Sequence, residues 1–441
     1  MVITAQNRNQ ELGKFFNALK DRALEPDDPA YVPYVHDEDS DDPIADLARQ
    51  ILWNEGGGTY LFTGQRGTGK STELRRLRRD LRAQECEVFL LDMSAYLHET
   101  EPVEIGDFLI SLMGALSDAV AEKFDQNVLP SQESYWERIV KFLDAEVAVS
   151  GFDLKGIKFS LKEDRTFKFA IQEAARGKVA ALVADARSFA FGVMQEVGKL
   201  TGGKRIVVIA DSVERLRGVN AEGAKKVFDS AIALFSGNPD HLKFSGLHVV
   251  YSVPPYLSAL TANLSALYNS QLVSLASAHV YESLSSGGAR TPSRVGLDAM
   301  QKMVVQRYPA WHEVLTEAQI RRLALSSGGD IRDFFRLLGA VLVKAANPAA
   351  SLPVADSALA NAENAMRREM LPIPDNHKVW LKRITASHES ELADLTNLAT
   401  FAGFLDNRVV LNYRNGKDWY DVHPLLWEVI DSHEPRVAAA G

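Results

Sequence analysis

The chain has 441 residues, 46% apolar and 24% charged, a composition that suits a folded protein of two or three domains and excludes global disorder. No apolar run approaches the roughly 18 residues of a membrane span, and Met1 to Gln10 lacks the basic and apolar regions of a signal peptide, so a cytoplasmic protein without membrane contact is expected. The net charge of −9 argues against a surface coated for nucleic acid but leaves room for a local basic patch, and the single cysteine, Cys86, can form neither an internal disulfide nor a thiolate metal cluster.

Asn9 to Leu24 has the spacing of an amphipathic helix. A proline- and acid-rich loop follows through Asp27, Asp28, Asp37, Glu38, Asp39, Asp41 and Asp42, either solvated or a dock for a basic partner. Asp42 can cap a helix over Pro43 to Trp53, with proline in the first turn where its missing N–H costs nothing. Thr59 to Thr63 predicts a strand running into Gly64-Gln65-Arg66-Gly67-Thr68-Gly69-Lys70-Ser71, which fits the P-loop pattern of a glycine, four residues, then Gly-Lys-Ser. Leu74, Leu77 and Leu81 continue it as a helix from Ser71 to Arg82. In that strand, loop, helix order the glycines let backbone N–H groups converge on the phosphates of a nucleoside triphosphate at a helix N-terminus. Residues Gly64 to Thr72 would then cradle ATP, Lys70 reaching the β- and γ-phosphates and the Ser71 hydroxyl ligating Mg²⁺. Arg75, Arg76, Arg78, Arg79 and Arg82, on the helix after the loop, are expected on a solvated face.

A second strand, Glu87 to Leu91, ends at Asp92, with Cys86 as a small buried residue just before it. Helices then dominate, with a helical and hairpin insertion over about 120–200; the alternation from Val147 to Leu161 predicts a hairpin carrying Lys155, Lys158 and Lys162. Arg205 to Asp211 is a short apolar run ending in an acid, the way a buried parallel strand delivers a carboxylate to a nucleotide site. Asp211 would hold Mg²⁺ through a water. A further strand, Leu247 to Tyr251, ends in Ser252, and Pro254-Pro255 stop its pairing. Strands separated by helices imply an α/β fold: a parallel sheet with helices on both faces, spanning 43–285, with Gly64, Asp211 and Ser252 gathered at the strands' carboxyl ends.

Beyond it the pattern is helical. Gly296 to Arg307, Glu317 to Leu325, and Asp330 to Ala345 suggest a lid over 286–350, the last helix capped by Asp330 with Arg332 in its first turn. A connecting helix covers 351–370. From 371 onward, helices precede Arg408 to Tyr413, a turn at Arg414-Asn415-Gly416-Lys417, and Asp418 to Val422; Asn-Gly between alternating segments marks a hairpin, and helices followed by a hairpin suggest a winged helix.

With these motifs in place, the chain from about Pro43 to Glu434 resembles the AAA+ and STAND branch of P-loop ATPases, particularly origin-recognition-like ATPases that end in a winged helix. The resemblance implies an ATPase core with a helical lid. It implies Arg332, within Gly329-Asp330-Ile331-Arg332, as a lid arginine touching the γ-phosphate, and Ser252 as the polar sensor after the Walker B strand. AAA+ proteins usually place an acid directly after the Walker B aspartate, where this chain has Ser212; Glu214, three residues on, resembles the NACHT-type arrangement and is the residue nominated to orient the attacking water. No arginine lies between Gly218 and Ala289, the region that usually supplies an arginine finger, which leaves Lys225, Lys226, Lys243, Arg215 or Arg217 and implies slow hydrolysis.

Three uses of ATP fit: a switch or assembly scaffold acting on a protein partner or on further copies of the chain; a DNA-binding initiator using the winged helix; and a small-molecule kinase, which would need far less lid and C-terminal mass. Bacterial ATPases of this general look often belong to multi-gene systems, including defence against phage. A DNA grip needs several cations against the phosphates. The C-terminal unit offers Lys378, Lys382, Arg383, Arg408, Arg414 and Lys417, against Asp375, Glu389, Glu391, Asp394, Asp406, Asp418, Asp421, Glu428 and Asp431, a balance that favours protein contact.

Overall fold

The computed structural model describes residues 6–34, 42–147, 172, 177–216, 221–282, 290–415 and 417–431. Five strands form the main sheet: β1 (Gly58–Gly64), β2 (Glu87–Asp92), β3 (Ile206–Asp211), β4 (His248–Val253) and β5 (Val273–Leu275), in the order β2-β3-β4-β1-β5. The pairs β2–β3, β3–β4 and β4–β1 are parallel. Each strand except short β5 extends the run of apolar residues seen in the sequence by one or two positions at most, because a strand buried on both faces needs side chains that satisfy no water. Helices cover both faces. Phe108 of the helix Ile105–Phe124 packs against Phe235 and Tyr251, ring centroids 6.1 and 5.7 Å away. This is a P-loop nucleotide-binding fold, with β1 leading directly through the loop into the helix Lys70–Ala83.

Backbone contacts divide the chain into two compact units. One comprises residues 43–63 and 73–274 and holds the sheet; the other comprises residues 1–42, 64–72 and 275–441. In the second, the helices Arg294–Arg307, Glu317–Ser326 and Ile331–Ala345 bury Met300, Ile320, Leu323, Phe334 and Leu338 completely. The N-terminal helix joins that core: Phe15 stacks on Tyr308 at 4.4 Å, and Arg8 donates to the carbonyls of Ala345 and Ala350 at 2.8 and 2.7 Å. At the C-terminal end, helices Asp375–Ser387 and Leu398–Asp406 precede an antiparallel pair, β6 (Val410–Asn415) and β7 (Lys417–Val422), paired from Val410 with Val422 to Asn415 with Lys417.

Two expectations change. The first helix is Arg8–Ala18 and does not reach Leu24, because Leu24 N instead donates to the Thr72 hydroxyl at 3.0 Å and Arg22 pairs with Asp28 at 2.8 Å. The arginine-rich helix is not a solvated face throughout: Arg76 is buried against Glu73 at 2.7 Å and Arg82 donates to Val88 O at 2.9 Å. Nearly all of the hairpin expected over Val147 to Leu161 lies outside the described residues. Among those residues no helix is long and apolar enough to cross a membrane, and Cys86 is a buried free thiol.

Gly114 marks where the sheet unit is packed most tightly, since a Cβ there would come within 2.0 Å of the Trp136 ring. Gly114→Ala should therefore lower stability by about 1–3 kcal/mol. Gly198→Ala, in a helix with open space around it, should raise stability by up to about 1 kcal/mol. Urea unfolding of the two variants checks the contrast.

Candidate functional site

The phosphate loop is built on backbone that side chains resist. Gly67 and Gly69 have φ of +103° and +80°, and a Cβ on Gly67 would lie 2.5 Å from Asp330 Oδ2. Both glycines are therefore required, one of them twice over. Lys70 is buried, and its ammonium donates to Gly64 O at 2.8 Å and Gln65 O at 2.9 Å, so it is held at the loop. The Thr68 hydroxyl donates to Gln65 O at 2.9 Å, whereas Arg66 is exposed. Ser71 and Thr72 open the helix, and the Thr72 hydroxyl accepts from Leu24 N.

Partners from distant segments of the same unit complete the loop. The Tyr34 hydroxyl donates to Thr68 O. The Gln65 amide, 1% exposed, donates to Val410 O at 2.6 Å and Leu405 O at 3.3 Å, while its oxygen accepts from Asn412 N at 2.7 Å. Asp330 caps the helix Ile331–Ala345 through a bond from Asp333 N to its Oδ1 (2.8 Å). Its other oxygen is buried with no hydrogen-bond partner, and burial together with the neighbouring Asp333 charge pushes its carboxyl up to about 7. For Asp333, burial is outweighed by His423, whose Nε2 lies 3.7 Å away, and by Arg408, whose Nε donates at 2.7 Å; its carboxyl sits well below the usual range. Arg332 pairs with Asp21, at 2.6 Å from one guanidinium nitrogen and 2.7 Å from another.

In the sheet unit, parallel register sets Asp92 beside Asp211, and Tyr251 beside Ala210, so Ser252 is level with Asp211 on the strand between β1 and β3. After Asp211, Ser212 turns the chain with φ +70°, and its N–H bonds Asp211 Oδ1 at 2.7 Å. The turn Val213–Arg215 that follows brings Glu214 to Ser252: the serine hydroxyl donates to Glu214 Oε2 at 2.6 Å and accepts from Val213 N at 3.2 Å. Sequence spacing alone placed these two residues in separate roles, and the structure bonds them together. Asp92 is anchored by Ser94; burial opposes, but the bonds from Ser94 and Ser212 win, and its carboxyl is held below the ordinary value.

Among the described residues no group of three or more His, Cys, Asp and Glu could hold a metal alone. That suits Mg²⁺, which takes one or two protein oxygens and completes its shell with phosphates and water. Asp211 and Ser71 supply oxygen donors of the right kind. Of the cations considered for an arginine finger, Lys225, Lys226 and Lys243 form ion pairs with Asp229, Glu222 and Asp240; Arg215 lies 4.0 Å from Glu99, and Arg217 is outside the described residues.

Tyr34, Asp21, Asp333, Arg408 and His423 were not assigned to the site by the sequence; Gln65 was, within the phosphate cradle, and its amide bonds Val410, Leu405 and Asn412. Tyr34 stood in a stretch with proline punctuation and no motif. Arg408, counted there among cations available to DNA, is directed inward to Asp333 with its side chain only 15% exposed.

No protein-family model matches the chain, and no curated protein does. Similar solved structures include a Walker-type ATPase of Pyrococcus abyssi (13% identity, 94% of this chain and 99% of that one, TM-score 0.42). Others are the Aeropyrum pernix ORC2 protein in ADPNP–ADP complexes (10%, 94% and 96%, 0.35) and the ORC1 protein of the same organism in complex with DNA (13%, 92% and 93%, 0.35). At such identities and scores, the roles of residues rest on this chain's own geometry.

Arg408→Ala strips the buried Asp333 of its closest cation and should cost about 3–5 kcal/mol near neutral pH. Since Asp333 is held below its unfolded value, the advantage of the natural chain should be full above about pH 4 and shrink as the pH falls further. Urea titrations at pH 7 and pH 3 measure both.

Proposed function

We propose that the protein binds ATP with Mg²⁺ and hydrolyses it slowly, using the nucleotide as a switch or assembly signal for a protein partner or for further copies of the chain. The observation that carries this reading is the joining of the phosphate loop, through Tyr34, Asp330 and Gln65, to three segments that have no part in holding a nucleotide-binding sheet together. A small-molecule kinase needs no such attachment. Lys70 would meet the β- and γ-phosphates, and Asp211 and Ser71 would serve Mg²⁺. Arg332, released from Asp21, would meet the γ-phosphate.

Glu214 is the group to orient the attacking water. Its bond from Ser252 holds the carboxylate beside the end of the strand that follows Asp211 in the sheet. With no arginine finger assigned, a contribution of about 10³-fold or more is withheld from the isolated chain. The resemblance to ATPases of multi-gene antiphage systems suits a chain whose effect is delivered by a partner.

The DNA-binding alternative keeps the winged-helix reading of the helices and hairpin from 371 onward but loses a cation. Arg408 neutralises Asp333, and Lys378 pairs with Asp375 at 2.9 Å, so the basic surface is smaller than the sequence count suggested. The initiator-like reading nevertheless fits this unit at least as well as protein contact does, and a solution-mass measurement with and without a duplex separates the two.

Lys70→Ala should abolish binding of a fluorescent ATP analogue, and Glu214→Gln should keep binding while reducing phosphate release at least a hundredfold. The natural chain should turn over below about 1 s⁻¹. Normal hydrolysis by the Glu214→Gln variant would assign Glu214 a structural role.

A further inference from the structure

Gln65 occupies one of the four P-loop positions at which the phosphate pattern specifies no side chain. Its burial and bonding therefore serve something other than phosphate contact. Only one orientation of the amide satisfies its surroundings: the nitrogen faces two carbonyls, Val410 O and Leu405 O, and the oxygen faces the Asn412 N–H.

Those groups lie along β6 and at the end of the helix before it. β6 pairs with β7 on one side only, so its other edge needs partners. Gln65 covers Val410 O and Asn412 N. Ser277 N donates to Asn412 O at 3.1 Å, and His279 Nε2 accepts from Arg414 N at 3.2 Å. The phosphate loop thus acts as part of the missing strand for the C-terminal hairpin.

A second route runs from the loop to the same place. Gly67 lies against the Asp330 carboxylate, Asp330 caps the turn containing Asp333, and Asp333 pairs with Arg408, two residues before β6. Tyr413, on β6, donates from its hydroxyl to Gly328 O at 2.6 Å, just before that cap. All these residues belong to one compact unit. Phosphate entering the loop must draw on the backbone N–H groups of residues 65 to 70, and any change in their orientation moves the peptide that carries the Gln65 side chain.

We propose that Gln65 is a positioning residue through which nucleotide occupancy is transmitted to the β6–β7 hairpin, so that the C-terminal unit reports whether the phosphate loop is filled. This deepens the nucleotide-switch reading and rests on it. Linkage requires reciprocity: a partner that holds the hairpin in its nucleotide-bound position tightens nucleotide binding by the same factor, which for such couplings is about 5–150-fold.

The test is amide hydrogen exchange on the full-length chain, without nucleotide, with ADP and with a non-hydrolysable ATP analogue, following peptides that cover residues 404–415. In the natural chain the analogue should change the exchange rates of the Val410 and Asn412 region at least fivefold. In Gln65→Leu, which keeps the volume and loses the amide, the hairpin's exchange should stay the same without the analogue and at analogue concentrations that fill the loop. Gln65→Glu, which keeps an acceptor for Asn412 N and loses the donor to Val410 O, gives the same reading should the leucine variant not fold.

Nucleotide binding without any response of the hairpin in the natural chain overturns the proposal and leaves the ATPase reading standing. An undiminished response in the folded Gln65 variants overturns the assignment to this residue. Failure of the natural chain to bind nucleotide removes both.

Discussion

A tight glycine loop that makes few backbone hydrogen bonds within itself depends on other segments to hold it, and this constraint organises much of one compact unit. Its carbonyls and side chains must find partners elsewhere. Here Lys70 and Thr68 supply some from within, while Tyr34, Val410 and Asn412 supply or receive others from the N-terminal segment and the C-terminal hairpin, and the Asp330 carboxylate packs against Gly67. The consequence appears in the division of the backbone: residues 64–72 group with the N-terminal and C-terminal segments, although strand and helix on either side of them belong to the sheet unit.

The sheet unit shows the complementary economy. Parallel register alone brings Asp92, Asp211 and Ser252 to one level at the strands' carboxyl ends, where such folds gather ligands. The left-handed turn at Ser212 then folds the chain back so that Glu214 meets Ser252. A serine on the strand between β1 and β3 thus fixes the position of an acid three residues beyond Asp211, which local spacing alone would leave undefined.

What the sequence made legible was what depends on neighbours in the chain. The P-loop, the apolar runs of β1 to β4 and the Asn-Gly hairpin all follow from local periodicity and turn chemistry, and their bounds differ from expectation by one or two residues. What stayed hidden depends on partners that no local pattern announces, from 75 residues away for Arg408 and Asp333 to 345 for Gln65 and Val410. Nothing around Gln65 announces Val410, and nothing near Arg408 announces Asp333. A count of charges treats Arg408 as available, whereas burial commits it to Asp333, a buried carboxylate for which it is the nearest cation. Arg76 is the same case on a smaller scale, for its place in an arginine-rich helix hides its pairing with Glu73. The first helix stops short because hydrogen bonding of Leu24 to the P-loop helix outweighs a continued amphipathic pattern.

The most direct measurement is the solution mass of the purified chain without nucleotide, with ADP and with ATP under the Glu214→Gln block, each with and without a short DNA duplex. A nucleotide-switched scaffold should gain mass with ATP, and not with ADP, whether or not the duplex is present. A mass that rises only with the duplex, or that ignores the nucleotide altogether, would contradict the account.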